Sequence, residues 1–154
     1  MFRGMPMIDV TYPAGSISAE QREQLADELT TALLRAERAP DTEFFRSITW
    51  AVVHEIPAEH IYTASRPVQA PIVRVEATTP EGALSDRRRA EFVASATKAI
   101  QEAFAIPDAE TLTRVWVTHR EIAEGSWGAG GQIIQFAQLR EMAAAARAQE
   151  GAAV

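Results

Sequence analysis

Pro6-Met7-Ile8-Asp9-Val10 and Pro71-Ile72-Val73-Arg74-Val75 are two short β-branched runs, each opening on a proline, 65 residues apart. Proline lacks the N–H that a strand interior uses and is tolerated at a strand's first residue, so both runs read as strand starts. The segments after the two runs repeat in the same order. Ser18-Ala19-Glu20-Gln21-Arg22 matches Ser85-Asp86-Arg87-Arg88-Arg89, and Pro40-Asp41-Thr42-Glu43 matches Pro107-Asp108-Ala109-Glu110, both at an offset of 67. Trp50 matches Trp116, and Glu55-Ile56 matches Glu121-Ile122, at 66. Anchors that keep their order within two residues of one offset point to tandem duplication of one unit, over residues 6–62 and 71–132.

Each unit reads strand, helix, strand. Ser18 is an N-cap, with Gln21 completing a capping box. Behind it Leu25, Leu29, Ala32, Leu33 and Ala36 recur at helical spacing and form an apolar stripe. In the second unit Ser85 or Asp86 caps, and Phe92, Ala96, Ala99, Ile100 and Ala103 form the matching stripe. Both helices stop near a proline, Pro40 and Pro107, because the residue before proline is pushed out of helical conformation. Ile48–Glu55 and Thr113–Arg120, rich in Val, Thr, Ile and Trp, are the second strands.

Two strands joined by a helix run parallel with a right-handed crossover. Two such units side by side predict an α/β fold, a two-layer sandwich of a four-stranded sheet with both helices on one face. The other sheet face stays uncovered in a single chain, so oligomerisation is expected on physical grounds. Residues 1–138 read as one domain made of the two repeats. Residues 139–154 read as an Ala-rich C-terminal tail, a frayed helix or disordered, without function.

Composition narrows the function classes. The chain has 154 residues, 47% hydrophobic and 23% charged, close to the globular average. No apolar run approaches the ~18–20 residues that span a bilayer, and Met1-Phe2-Arg3-Gly4 opens no signal peptide, so no membrane partner is expected. The absence of cysteine excludes thiolate chemistry and is compatible with the cytoplasmic location we expect. A net charge of −6 argues against nucleic acid as a partner. Arg87-Arg88-Arg89 reads as a solvated helix face. His54, His60 and His119 show no metal-ligand spacing, and His54 and His119 read as core or interface histidines. The Gly128–Gly131 cluster leads into Ile133-Ile134 rather than a helix, so it reads as a hairpin and not a phosphate loop.

Met5-Pro6-Met7-Ile8-Asp9-Val10 resembles the start of tautomerase-superfamily proteins, in which a proline exposed by loss of the initiator Met heads the first strand. Glu121-Ile122-Ala123-Glu124-Gly125-Ser126-Trp127-Gly128-Ala129-Gly130-Gly131-Gln132 resembles the hairpin that ends the 4-oxalocrotonate tautomerase unit. The resemblance covers residues 5–136. It implies a fused, two-unit member that forms a homotrimer and isomerises small 2-oxo or dienol carboxylates without a cofactor. The implied catalytic base is Pro6, whose nitrogen is a secondary amine when it is the first residue. Translation from Met5 would generate that amine. Translation from Met1 would leave it a tertiary amide without basicity. Pro71 is internal in either case.

The remaining positions depart from the family pattern. The turn after the first strand, Ala14-Gly15-Ser16-Ile17-Ser18, holds no arginine, and a second-strand arginine is replaced by Trp116, and by Trp50 in the first unit. Arg74, Arg114 and Arg46 are the cations available to clamp a carboxylate; the alternative for each is a surface or interface charge. Arg114 shares strand parity with Trp116. Arg74 occupies the place of Asp9 in the repeat, so the two could also pair. The substrate-binding set is therefore Arg74, Arg114, Trp116 and Trp127, with Trp127 as an aromatic wall and Tyr62 its counterpart. Pro80-Glu81-Gly82-Ala83 keeps the Glu-Gly of the cis-3-chloroacrylic acid dehalogenase branch without its two arginines, and Thr118 stands where that branch has a tyrosine. The alternatives to a tautomerase are a hydratase, decarboxylase or dehalogenase of the same superfamily, and a noncatalytic trimer.

Overall fold

The computed structural model describes residues 5–152; Met1-Phe2-Arg3-Gly4 lie outside them. Strand β1 (Met7–Pro13) leads into α1 (Ala19–Glu37), a short α2 (Glu43–Ser47) and β2 (Trp50–Ile56). A small hairpin, β3 (Tyr62–Thr63) and β4 (Arg66–Pro67), closes the first unit. The second unit repeats the order with β5 (Val73–Pro80), α3 (Asp86–Phe104), α4 (Thr111–Arg114), β6 (Val115–Ile122) and the hairpin β7 (Gly128–Ala129) and β8 (Gln132–Ile133). Helix α5 (Phe136–Ala152) comes last.

The four long strands form one sheet in the order β2-β1-β5-β6. Each unit contributes a parallel pair, β1 with β2 and β5 with β6, and the two units join antiparallel through β1 and β5. Helices α1 and α3 pack together over one face. Ile8, Val10 and Tyr12 of β1 alternate with outward residues and meet Val73, Val75 and Ala77 of β5 beneath Leu25, Leu29, Leu33, Phe92, Ala96 and Ile100. Ser18 makes the expected capping box with Gln21, and Ser85 rather than Asp86 caps α3. Arg38 and Ala105 end the two helices in left-handed conformation, ahead of the prolines. The second strands begin two residues later than their sequence suggests, because α2 and α4 take up the residues before them.

The register shifts the repeat. Met7 lies opposite Trp50, and Arg74 lies opposite Trp116. Arg74 is therefore the counterpart of Met7, Glu76 of Asp9, and Val73 of Pro6. Pro13 and Pro80, which end β1 and β5, share the 67-residue offset of the helix caps. The match of Pro71 to Pro6 is thus two residues out, and Asp9 and Arg74 do not pair within the sheet of one chain. Asp9 meets His54 instead, Oδ1 to Nε2 at 2.6 Å, and Arg74 lies across from Thr11.

The tail differs from expectation as well. The boundary expected at 138 falls inside α5, and Phe136, Leu139 and Ala143 are buried against Leu34 and Phe45 rather than left to fray. Their i, i+3, i+7 spacing puts them on one helix side, and burying Phe136 and Leu139 contributes roughly 1.5–3 kcal/mol each. Phe136 N–H, at the open helix start, donates to Glu124 Oε1 at 3.0 Å.

The face of the sheet away from α1 and α3 is uncovered. Its corners are Trp50 and Trp116, 62% and 63% exposed, with Val52 beside Trp50 on β2, Asp9, Arg74 and Glu76 on the two middle strands and Arg120 on β6. Arg120 pairs with Glu76 at 3.3 Å. No helix among the described residues is long and apolar enough to cross a membrane.

Candidate active site

Pro6 is buried at the head of β1, and its carbonyl accepts from Trp50 N–H at 3.2 Å. One step before the Met7 pairings, the ladder sets Pro6 between Thr49 and Thr79, both buried. Thr49 Oγ1 donates to Phe45 O at 2.8 Å, and Thr79 Oγ1 lies 2.7 Å from His119 Nε2. Burial holds the His119 pKa below the usual histidine value; Glu121 opposes this and Arg89 adds to it. The imidazole is therefore neutral at neutral pH, and its bond to Thr79 fixes the strand edge beside Pro6.

Met5, directly before Pro6, packs into an apolar cluster with Leu34, Phe45, Phe136 and Leu139, and with Trp127 and Ile134 of the second unit's hairpin. The hairpin turns back tightly, with Ile134 N–H donating to Trp127 O at 2.8 Å. Gly130 and Gly131 both take positive φ there, a conformation that side-chain-bearing residues adopt only with strain. Elements of both units and α5 thus converge on the start of β1.

Arg74, Arg114 and Trp116 do not join them. Five residues of extended chain separate Pro6 from Thr11, the partner of Arg74, which is roughly 16 Å at ~3.3 Å per residue. These three line a separate cavity of about 530 Å³ with Val73, His60 and Tyr62. Arg46 is at neither place: it is held by Asp41 at 2.6 Å and Asp27 at 2.9 Å. The chain therefore carries two pseudo-equivalent sites at opposite ends of the sheet. One end has Pro6 and Trp127; at the other Val73 stands in the place of Pro6, and the hairpin register puts Ile61, not the expected Tyr62, in the place of Trp127, with Tyr62 one residue further on.

Two residues of the Pro6 end are not picked out by the sequence motifs. His119 gives no signal, since its bond to Thr79 depends on strand register. Glu37 gives one: it sits four residues after Leu33, on the apolar stripe of α1, where a charged residue is out of place. Because α1 runs antiparallel to β1, its last turn returns to the Pro6 end of the sheet. Glu37 is fully buried there, and neither carboxylate oxygen has a hydrogen-bond partner among the described residues. No group of three or more potential metal ligands occurs among the described residues.

Comparison with known proteins agrees with this layout. Residues 6–70 match the family model described as tautomerase enzyme. Pt0534, solved in a form inactivated by 2-oxo-3-pentynoate, is 21% identical, with a TM-score of 0.70 over 86% of this chain and 98% of its own. The asymmetric trimer of wild-type F6 fused 4-OT is 22% identical, with a TM-score of 0.69 over 86% of this chain and 98% of its own. N1, a member of the cis-3-chloroacrylic acid dehalogenase family, is 21% identical, with a TM-score of 0.71 over 88% of this chain and 89% of its own. No curated protein matches this chain. The first unit, residues 6–70, thus matches the tautomerase family model, and the chain as a whole has the tandem fold of the fused 4-OT proteins to which it is similar.

Proposed function

We propose that this protein is a cofactor-independent tautomerase of small 2-oxo and dienol carboxylates, with Pro6 as the base in the form of the chain that begins at Pro6. The observation that carries this reading is the convergence of α1, α2, the Trp127 hairpin and α5 on Met5, next to the buried Pro6 at the head of β1. Proline at a chain start is a rigid secondary amine with no backbone bond to make. Apolar surroundings disfavour its ammonium form and lower its pKa toward neutrality. The amine lifts a proton from the carbon next to the 2-oxo group, the electron pair moves to the carbonyl oxygen as an enolate, and the proton returns to oxygen or to a more distant carbon. Met5 packs against the same apolar cluster as Trp127; in a chain starting at Pro6 that apolar surface is free for the body of a substrate.

The assembly we expect is a homotrimer built across the open sheet face; the similar F6 protein is an asymmetric trimer. Replacing both Trp50 and Trp116 with Glu places two unpaired charges on each protomer's contact face. Light scattering after size exclusion is expected to read one chain of 16.8 kDa, where the unmodified protein reads about three times that mass. An unchanged mass would remove the face from the assembly.

The test of the base uses the reagent that inactivated Pt0534. An acetylenic 2-oxo acid accepts an amine at its alkyne carbon, forming a C–N bond without a leaving group. Peptide mass spectrometry of the Pro6-first protein is expected to find one 2-oxo-3-pentynoate adduct, on Pro6. Adducts elsewhere, or none, would refute the assignment.

A further inference from the structure

The cavity at the opposite end of the sheet has its own chemistry. Its volume of about 530 Å³ lies within the range of small-molecule sites. Arg114 stands at its wall, fixed by Nε donating to Pro71 O at 2.8 Å and Nη1 to Glu110 Oε2 at 2.6 Å. Its Nη2 has no hydrogen-bond partner among the described residues. Arg74 makes no hydrogen bond or ion pair among the described residues, and the nearby carboxylate of Glu76 is already taken by Arg120. Among the described residues of one chain the local charge balance is therefore one positive charge in excess: Arg114 is paired with Glu110, and Arg74, on the open sheet face, is unpaired.

The rest of the wall is apolar. The Trp116 indole N–H is spent on Leu112 O at 3.0 Å, so the ring offers carbon surface, and Tyr62 and Val73 face it across the same space. Val73 stands where Pro6 stands in the first unit, so no ionisable backbone amine can exist here whichever residue begins the chain. A cavity with one uncompensated guanidinium, a second one pre-oriented, and flat apolar walls fits a monoanion with a planar body.

We propose that this cavity is a second, non-reacting site that binds small aromatic or planar aliphatic monocarboxylates through Arg74 and Arg114. It does not depend on Pro6 being a base. The site would hold the same chemical class as the proposed substrates and would be filled alongside the Pro6 site.

Benzoylformate is the probe, since it is a planar 2-oxo acid with no hydrogen to lose next to its carbonyl. Calorimetric titration of the full chain is expected to show saturable binding that Arg74→Ala weakens about ten- to hundredfold, the worth of one charge-assisted bond pair. Arg74→Lys should retain part of the affinity, and uncharged acetophenone should not bind comparably. Light scattering accompanies each variant. Absence of saturable binding, or equal binding by Arg74→Ala, overturns the proposal. So does dissociation of the assembly by Arg74→Ala, which would make Arg74 an interface charge. Failure of the Pro6 adduct experiment leaves these outcomes untouched, so the two readings fail separately.

Discussion

A chain beginning at Pro6 is expected to ketonise the enol of phenylpyruvate with a kcat/KM about 10²–10⁴ times that of the chain in which Met1–Met5 precede it, the usual contribution of a positioned general base. The difference is covalent in origin. With Met5 attached, the proline nitrogen is a tertiary amide whose lone pair is delocalised and takes no proton. The Met5 side chain also packs against the apolar cluster of Leu34, Phe45, Phe136 and Leu139. Without it, the same nitrogen is basic and that apolar surface is free. The pH profile carries the same information. The amine acts only when unprotonated, so kcat/KM of the Pro6-first protein should rise with pH and level off above the amine's pKa. The longer chain should show no such limb. Equal rates in the two forms would exclude Pro6 as the base and leave a noncatalytic trimer as the reading.

The second large effect concerns stability. Burial of Glu37 pushes its pKa up from the ordinary 4.5 to about 8, with the charge of Arg88 opposing. The folded protein therefore keeps this proton over a range in which the unfolded chain releases it. The stability that goes with the neutral form is complete below the unfolded pKa and is lost as pH rises from about 4.5 to about 8. A shift of this size corresponds to several kcal/mol, at about 1.4 kcal/mol per unit. Thermal melts at pH 5 and pH 8 should show a drop in Tm that Glu37→Gln reduces sharply. Glu37→Leu removes two unsatisfied oxygens from the interior. It is expected to raise Tm at pH 8 by about 5–10 °C, from ~2–3 kcal/mol at ~2–4 °C per kcal/mol for a chain of this size. A lower Tm for the leucine variant, or a pH dependence equal to the parent's, would show that the carboxyl is satisfied in solution.

The layers of this fold are legible in the sequence because its strongest signals are local. Ser18 and Gln21 cap a helix whatever surrounds them, and the stripe from Leu25 to Ala36 has one period. Register is not local. Pro6 and Pro71 look equivalent, yet strand pairing makes Val73 the counterpart of Pro6, and the better anchors are Pro13 and Pro80 at the far ends of the strands. That two-residue slip also hides the division of the site. Arg74, Arg114 and Trp116 look like companions of Pro6 along the chain, and only the antiparallel joining of β1 to β5 sends them to the other end. Helix α5 is hard to read for a different reason: its alanines give a weak stripe, and its docking rests on three positions, Phe136, Leu139 and Ala143.

The protonation of the Pro6 nitrogen is the point on which the functional reading turns, and it can be observed directly. With ¹⁵N-proline incorporated in the Pro6-first protein, an NMR titration should give one step for this nitrogen. Its midpoint should fall below the ~7.7–8.0 of an ordinary chain-terminal amine and coincide with the kinetic limb. A midpoint above that range, or one that does not track the limb, would contradict Pro6 as the catalytic base.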